Sequence, residues 1–224
     1  MYAYPIFLKL SCSRCLVVGA GGVGTRKLKS LLEADPLEVL VVDPDPSPQA
    51  RLLAEDPRVT LALRGFLPED CTGKNLVFTT TENREINEAV YARCRELGIL
   101  CNVADSLEES DFIVPANISH PNMALAMTTY GGSPALTRRI KRELAEWLGD
   151  RYDGIAELLR RLRPLVLALH HETGQNTRIF RNIVASSLPE ALQRKDRQEC
   201  IRLLTELLPR ELHPHIMELL HDIA

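Results

Sequence analysis

The sequence predicts an α/β protein, with a Rossmann-like, mostly parallel sheet domain followed by a linking stretch and a helical C-terminal region. Up to about residue 115, short β-rich runs alternate with helical stretches, which is the pattern of βαβ units and a parallel sheet. A glycine-rich loop joins the first run to the first helix. Beyond Ser133 almost the whole chain has helical periodicity.

Each β-rich run of the first part is short and apolar, as expected of a buried strand. The predicted strands are Cys15–Val18, Val39–Val42, Val59–Leu63, Leu76–Thr79 and Ile99–Val103. Two segments with helical spacing lie between them, Thr25–Ala34 and Arg84–Leu97. Gly98 is placed as the C-cap of the second helix.

After Pro115 one more strand is expected, over Met123–Thr129. Ser133 is a good N-cap residue and Pro134 suits the first helical position, so a helix should start there. A later helix is predicted from apolar residues at helical spacing: Ile155, Leu158, Leu159, Leu162 and Leu165. So small a helical region needs another surface for its apolar faces, either the first domain or a second subunit, and a homodimer is expected.

Composition narrows the class of protein. The chain has 224 residues, 45% of them hydrophobic and 25% charged, with a formal net charge of −3. This balance excludes a disordered protein, and no nucleic-acid partner is expected because there is no strong positive charge. No apolar run approaches the roughly 18–20 residues that span a bilayer, and the first ten residues lack the features of a signal peptide. A cytoplasmic protein without a membrane partner is expected.

The six cysteines do not form the pattern of a small disulfide-rich domain. Cys12 and Cys15 make a CxxC pair, but no second pair follows at zinc-ligand spacing. Reduced thiols and no metal site are therefore expected.

The clearest chemical signal is the loop Gly19-Ala20-Gly21-Gly22-Val23-Gly24, a G-x-G-x-x-G motif between a strand and a helix. The three motif glycines would permit a tight turn, close approach of a pyrophosphate and close packing of helix on strand, and Gly22 and Val23 complete the loop. Asp43, followed by Pro44, ends the next strand. An acidic residue there accepts hydrogen bonds from a ribose 2′-hydroxyl and repels a 2′-phosphate, so NAD is the predicted cofactor.

Two further segments have open interpretations. Asp105 follows the strand Ile99–Val103, where it is either a general base or a cap of the next turn. The stretch Gly131-Gly132-Ser133 leads into a helix carrying Arg138 and other basic residues. It is either a carboxylate-binding surface or an ordinary loop, cap and solvated helix face.

In this order, these motifs resemble the precorrin-2 dehydrogenase family, which includes the N-terminal module of sirohaem synthases. The resemblance covers most of the chain, from Tyr4–Leu10 through the glycine loop and Thr79–Asn87. It is strongest at Cys101–Asp105, Asp111–Pro115 and Gly132–Leu136.

The resemblance implies NAD-dependent oxidation of precorrin-2 to sirohydrochlorin by a homodimer. It implies an NAD-binding domain at 1–114, a dimerisation region at 115–149 and a helical domain at 150–224. The family's key aspartate falls on Asp105, as catalytic base. Thr81 matches a position near the nicotinamide.

The same resemblance assigns the second half of the chain to the substrate. Precorrin-2 carries many carboxylates, so the implied substrate-binding residues are Thr129, Gly131, Gly132, Ser133 and Arg138. His120 and the arginines of Arg160–Arg163 are further candidates for these carboxylates.

Three alternatives stay open at this point. Some members of the family also insert iron. An NAD-sensing regulatory module would explain the glycine loop and Asp43 but gives no role to Asp105. A general NAD oxidoreductase of small substrates would need a His–acid pair, and the first 119 residues contain no histidine.

Overall fold

The computed structural model describes residues 3–104, 106–169 and 173–224, with only the backbone described at Thr173. The chain divides into two compact units, Met1–Val114 and Pro115–Ala224. Each unit has its own hydrophobic core. Within the described ranges, no helix is both long and apolar enough to cross a bilayer.

The first unit contains a five-stranded parallel sheet, which confirms the α/β fold class. Its strands are β1 Arg14–Val18, β2 Glu38–Val42, β3 Val59–Ala62, β4 Leu76–Thr79 and β5 Leu100–Val103. The spatial order is β3-β2-β1-β4-β5, and every neighbouring pair is parallel. The order reverses between β1 and β4, as in a doubly wound sheet.

Helices cover both faces of this sheet. They are α1 Gly22–Glu33, α2 Pro48–Leu53 and α3 Arg84–Leu97, with a 3-10 helix over Pro68–Cys71. One core lies between α1 and alternate strand residues such as Val17 and Phe78, and a second core contains Leu16 and Val77 with residues of α3. The strands are buried on both faces, which explains their almost continuous apolar sequences.

Most predicted elements of this unit form where they were expected. The strand Leu76–Thr79 and the helix Arg84–Leu97 have the predicted bounds, and Gly98 is the left-handed C-cap, with φ of +68°. The first helix begins three residues earlier than predicted, at Gly22. The short helix α2 was not predicted because its six residues are too few to show a helical period.

The second unit begins with an antiparallel hairpin and continues with helices. The hairpin is β6 Ala116–His120 and β7 Met123–Met127. The helices are α4 Pro134–Leu148, α5 Asp153–Ala168, α6 Thr173–Ala185, α7 Leu188–Gln193, α8 Arg197–Leu207 and α9 Ile216–Leu219, with a 3-10 helix over Arg210–His215. Strand β6 was not predicted, and the predicted strand Met123–Thr129 is two residues shorter.

The helical part of the second unit is tightly packed. Leu158, Leu162 and Val166 of α5 are fully buried, as are Ile183 of α6 and Leu204 of α8. They belong to one hydrophobic cluster that extends to the end of α9. The periodicity of α5 therefore identified a core face within this unit.

Polar contacts attach the hairpin to α5. The His120 imidazole lies 3.1 Å from the Asp153 carboxylate. The Asn122 amide donates to Glu157 at 2.9 Å. Arg160 and Arg161 also donate to Glu157 and hold the pKa of this carboxyl at about 2.

All six cysteines are free thiols. Cys12 is exposed, whereas Cys15 is buried in β1, where burial raises the pKa of its thiol to about 11. Among the residues that the structure describes, no three His, Cys, Asp or Glu side chains are placed to hold a metal ion.

We predict that Asp70→Asn lowers the free energy of unfolding by about 1–3 kcal/mol at pH 7, since the buried carboxylate accepts two hydrogen bonds from Arg64 and one from the Leu67 N–H. Arg64 holds the pKa of Asp70 below its ordinary value. The stabilisation is therefore present above the pKa of the unfolded chain and is lost as pH falls through the lower folded pKa. Urea unfolding at several pH values measures it, with the exposed neighbour variant Glu69→Gln as control. Equal stability of both variants at pH 7 would contradict this role.

Candidate nucleotide-binding site

The candidate site lies at the carboxyl ends of β1 and β4, where the strand order reverses. Connections from these two strands run to opposite sides, and the crevice between them is where open α/β sheets bind ligands. The glycine loop leaves β1 at this point and enters α1.

Two of the glycines are required by the packing of the loop. Gly19 has φ of +88°, and a Cβ there would lie 3.0 Å from backbone atoms of Thr80 and Thr81. A Cβ on Gly24 would lie only 1.9 Å from the carbonyl oxygen of Gly19. No side chain fits between α1 and the end of β1, as the spacing of the motif predicts.

Gly21 and Gly22 have a different environment. A Cβ on either glycine would have no neighbour within 4 Å, and both residues are exposed, as is Val23. Gly21 is the N-cap of α1, and no side chain caps this helix. The first N–H groups of an α-helix have no partner within the helix. The open space and these donors together fit the pyrophosphate of a dinucleotide.

Asp43 follows β2 and is fixed by backbone donors. Its carboxylate accepts hydrogen bonds from the N–H groups of Ala20 and Asp45. The residue is half-buried, and Pro44 beside it is exposed. The hydrogen bond from Ala20 holds the Asp43 carboxylate beside the glycine loop, on the side of β2. A carboxylate in this position can accept hydrogen bonds from the hydroxyls of an adenosine ribose.

A hydroxyl pair on the same side was not predicted from the sequence. The hydroxyls of Thr25 on α1 and Ser47 lie 2.9 Å apart. Ser47 also caps α2 and donates its N–H to the Ala20 carbonyl. Only its position before a proline indicated a cap, and the contact with Thr25 depends on the tertiary structure.

A buried amide organises the other side of the site. Asn87 of α3 accepts hydrogen bonds from the hydroxyls of Thr79 and Thr81 and donates to the Thr81 carbonyl. Thr80 donates to the Gly19 carbonyl at 2.8 Å. These bonds hold the chain after β4 against the glycine loop. Thr81 was predicted from the sequence as a cofactor-binding residue, whereas Asn87, which bonds to it, was not singled out.

Side chains also fix the chain around the end of β5. The buried Asn102 amide donates to the Phe112 carbonyl, and Ser110 accepts from the Val103 N–H. Asp111 accepts from the Cys101 N–H at 2.9 Å. The predicted catalytic residue Asp105 lies outside the described residues.

The predicted substrate-binding residues lie in the second unit, at the start of α4. The Thr129 hydroxyl accepts from the Ser133 N–H, and its carbonyl accepts from the Gly132 N–H. Ser133 caps α4 by accepting from the Leu136 N–H, as predicted. Gly131 has φ of +81°, and Arg138 is exposed on α4. Thr129 thus holds this turn on the helix, while the arginine is open to solvent.

Most of the other proposed carboxylate ligands already have partners, whereas Arg163 is exposed to solvent. His120 pairs with Asp153, and both Arg160 and Arg161 pair with Glu157. His120, Arg160 and Arg161 therefore make contacts that stabilise the second unit.

The first unit matches a known protein family. Residues 6–116 match the model of the family described as putative NAD(P)-binding. The unit is accordingly an NAD(P)-binding domain.

Curated relatives match nearly the whole chain. The chain is 31% identical to siroheme synthase 3 of Aeromonas hydrophila over 208 residues. This match covers 92% of the chain and 44% of the relative. The chain is 32% identical over 196 residues to the siroheme synthase of Chromobacterium violaceum, with 88% of this chain and 42% of that protein covered. The chain spans less than half the length of these relatives.

A solved structure shows the same fold. The structure of SirC, described as a precorrin-2 dehydrogenase, superposes on this chain with a TM-score of 0.74 and 23% sequence identity. The match covers 92% of this chain and 98% of the SirC chain.

We predict that two glycine substitutions affect different properties, stability in one case and NADH binding in the other. Gly24→Ala should destabilise the protein by about 3 kcal/mol or more, because its methyl group would overlap the Gly19 carbonyl. Gly21→Ala should change the free energy of unfolding by less than about 1 kcal/mol, since its φ is −68° and the space is open. NADH should nevertheless bind this variant about tenfold more weakly or worse, because the methyl group occupies the place of the pyrophosphate.

Urea unfolding and NADH fluorescence titration measure these two effects separately. Unchanged NADH affinity in Gly21→Ala would contradict the placement of the pyrophosphate.

Replacing Asn87 by Leu removes the acceptor of two threonine hydroxyls and keeps the number and branching of the side-chain heavy atoms. We expect a loss of about 1–3 kcal/mol in stability and weaker NADH binding, because the chain after β4 loses its anchor. Glu88→Gln on the same helix is the control, since it breaks only an exposed ion pair with Arg84. NADH affinity and stability like those of the control would show that Asn87 does not position the site.

Proposed function

Since this chain belongs to the same family as the matched part of the siroheme synthases, the precorrin-2 dehydrogenase family, we propose that it oxidises precorrin-2 to sirohydrochlorin with NAD. The observation that carries the proposal is the nucleotide cradle, with its open Gly21–Gly22 stretch and an oriented carboxylate at Asp43. The Asp43 carboxylate favours NAD over NADP, because it would repel a 2′-phosphate.

The residues of the first unit have defined tasks in this proposal. The loop 19–24 binds the pyrophosphate, and Asp43 binds the adenosine ribose. Thr81, held by Asn87, borders the nicotinamide side of the crevice. When bound, NAD supplies the hydride acceptor.

Oxidation of precorrin-2 removes one hydride and one proton from the macrocycle. One C–H bond breaks with its electron pair leaving as hydride, and a proton is released as the new double bond forms. We assign the proton to Asp105, on the family resemblance at Cys101–Asp105. A carboxylate near the reacting carbon suffices for this step.

The substrate carboxylates are assigned to the start of α4. The positive N-terminal end of this helix follows Gly131, Gly132 and Ser133. The exposed Arg138 guanidinium can reach an anionic group of a ligand that arrives from solvent. Thr129 holds the turn that presents them. This segment therefore has the charge that a polycarboxylate requires.

A homodimer is part of the same proposal. The hairpin β6–β7 is a two-stranded sheet without further strands among the described residues, and such a hairpin is marginally stable by itself. On α4, Leu136 and Trp147 are about half exposed. A second copy of the chain would cover these surfaces. A cytoplasmic location is also proposed, in keeping with six free thiols.

The test is an anaerobic incubation of precorrin-2 with NAD and the purified protein, followed by the absorption spectrum of sirohydrochlorin. We predict product with the wild-type protein and a loss of at least about 100-fold in kcat with Asp105→Asn, because an amide cannot accept the proton. NADH should bind both proteins equally. Ferrous ion added afterwards tests metal insertion against a protein-free control.

One result would count against the proposed activity, and another would count only against the role of Asp105. A wild-type protein that binds NADH but leaves precorrin-2 unchanged would favour an NAD-sensing module. Full activity in Asp105→Asn would leave the dehydrogenase assignment intact and remove the aspartate from the reaction.

A further inference from the structure

We propose that Lys27 binds a carboxylate of the tetrapyrrole substrate at the nicotinamide side of the crevice. The inference rests on the proposed function and extends it to a residue of α1 that the nucleotide cradle does not use. The Lys27 ammonium lies 5.4 Å from the centroid of the Phe78 ring, on the face of the sheet that α1 covers.

The position of Lys27 on α1 places it on the side where the substrate must bind. Thr25 contacts Ser47 on the β2 side of the helix, near Asp43. Lys27 lies two residues further, about 200° around the helix, and faces β4. Adenosine and nicotinamide lie on opposite sides of the pyrophosphate. With adenosine at Asp43, the nicotinamide would lie on the β4 side, and so would the substrate carbon that gives up the hydride.

The surface below Lys27 is rigid. Phe78 is one residue from the end of β4 and makes an edge-to-face contact with Phe112, with ring centroids 5.5 Å apart. Asn102 is the partner of Phe78 on β5, and its buried amide donates to the Phe112 carbonyl. The ammonium therefore lies over the Phe78 ring, which its contact with Phe112 holds in place, beside the ends of β4 and β5.

The charge of Lys27 lacks an anionic partner within the described part of the chain. Among the described residues, no carboxylate is seen to act on its ammonium, and the charged neighbour that does so is Arg26, also positive. Burial and Arg26 both lower the pKa of Lys27. A half-buried ammonium beside a second cation favours an anionic ligand, since pairing offsets the loss of hydration. A tetrapyrrole bearing many carboxylates supplies such a group.

Lys27→Met tests this assignment because it keeps the alkyl chain over Phe78 and removes only the charge. We expect the KM for precorrin-2 to rise about tenfold or more, as for loss of a charged hydrogen bond, while NADH affinity stays within about twofold of wild type. Lys27→Arg should recover most of the loss. Lys29→Met, an exposed lysine on the same helix, is the matched control and should resemble wild type.

An equilibrium titration with sirohydrochlorin, followed by its own fluorescence, makes the test independent of turnover. Weaker binding by Lys27→Met than by Lys29→Met supports the assignment even if the wild-type protein is inactive as a dehydrogenase. Equal binding by these two variants, or no binding by wild type, would overturn it. A parallel loss of NADH affinity in Lys27→Met would also overturn it, since Lys27 would then act on the cradle. Failure of the proposed function gives a different result from failure of the Lys27 assignment, because in that case the wild-type protein itself does not oxidise precorrin-2.

Discussion

The close contact between Gly24 and the carbonyl of Gly19 is the constraint on which the nucleotide site depends. A single Cβ would have to lie 1.9 Å from that carbonyl oxygen, so α1 can lie this near to β1 only with glycine at position 24. The contact sets the N-terminus of α1 at the point where the strand order reverses. Gly21 and Gly22 lie in open space next to this contact. The space and the first N–H groups of α1 together would suit a pyrophosphate.

Contacts on both sides extend this constraint into a complete crevice. On the β2 side, Asp43 is oriented by the Ala20 N–H, and the Thr25–Ser47 pair joins α1 to the start of α2. On the β4 side, Asn87 and the Thr80 hydroxyl hold the chain against the glycine loop. The two sides differ in chemistry, with a carboxylate for ribose on one and a lysine over an aromatic ring on the other. In the proposed function, this asymmetry would set the direction of the dinucleotide and the side on which the substrate binds.

The sequence was most informative where local pattern decides the structure. The alternation of apolar runs and helical segments predicted the parallel sheet, and the glycine spacing predicted the packing of Gly24. Asn87 was not recognised as part of the site because its bonds to Thr79 and Thr81 join a helix to a strand end. Strand β6 was missed since Ile118 is its only buried residue, which leaves no apolar run in the sequence. The family resemblance was confirmed by the relatives, whereas the roles of Asp105 and of the α4 segment stay predictions.

The most direct measurement is an equilibrium titration of the wild-type protein with NADH and, separately, with NADPH, at fixed ionic strength. We predict saturable binding of one NADH per chain and binding of NADPH at least about tenfold weaker, because the Asp43 carboxylate would repel a 2′-phosphate. Failure of NADH to bind would contradict the assignment of the glycine loop and Asp43 as a dinucleotide-binding site. Equal or tighter binding of NADPH would contradict the placement of adenosine at Asp43, and with it the direction of the dinucleotide across the sheet.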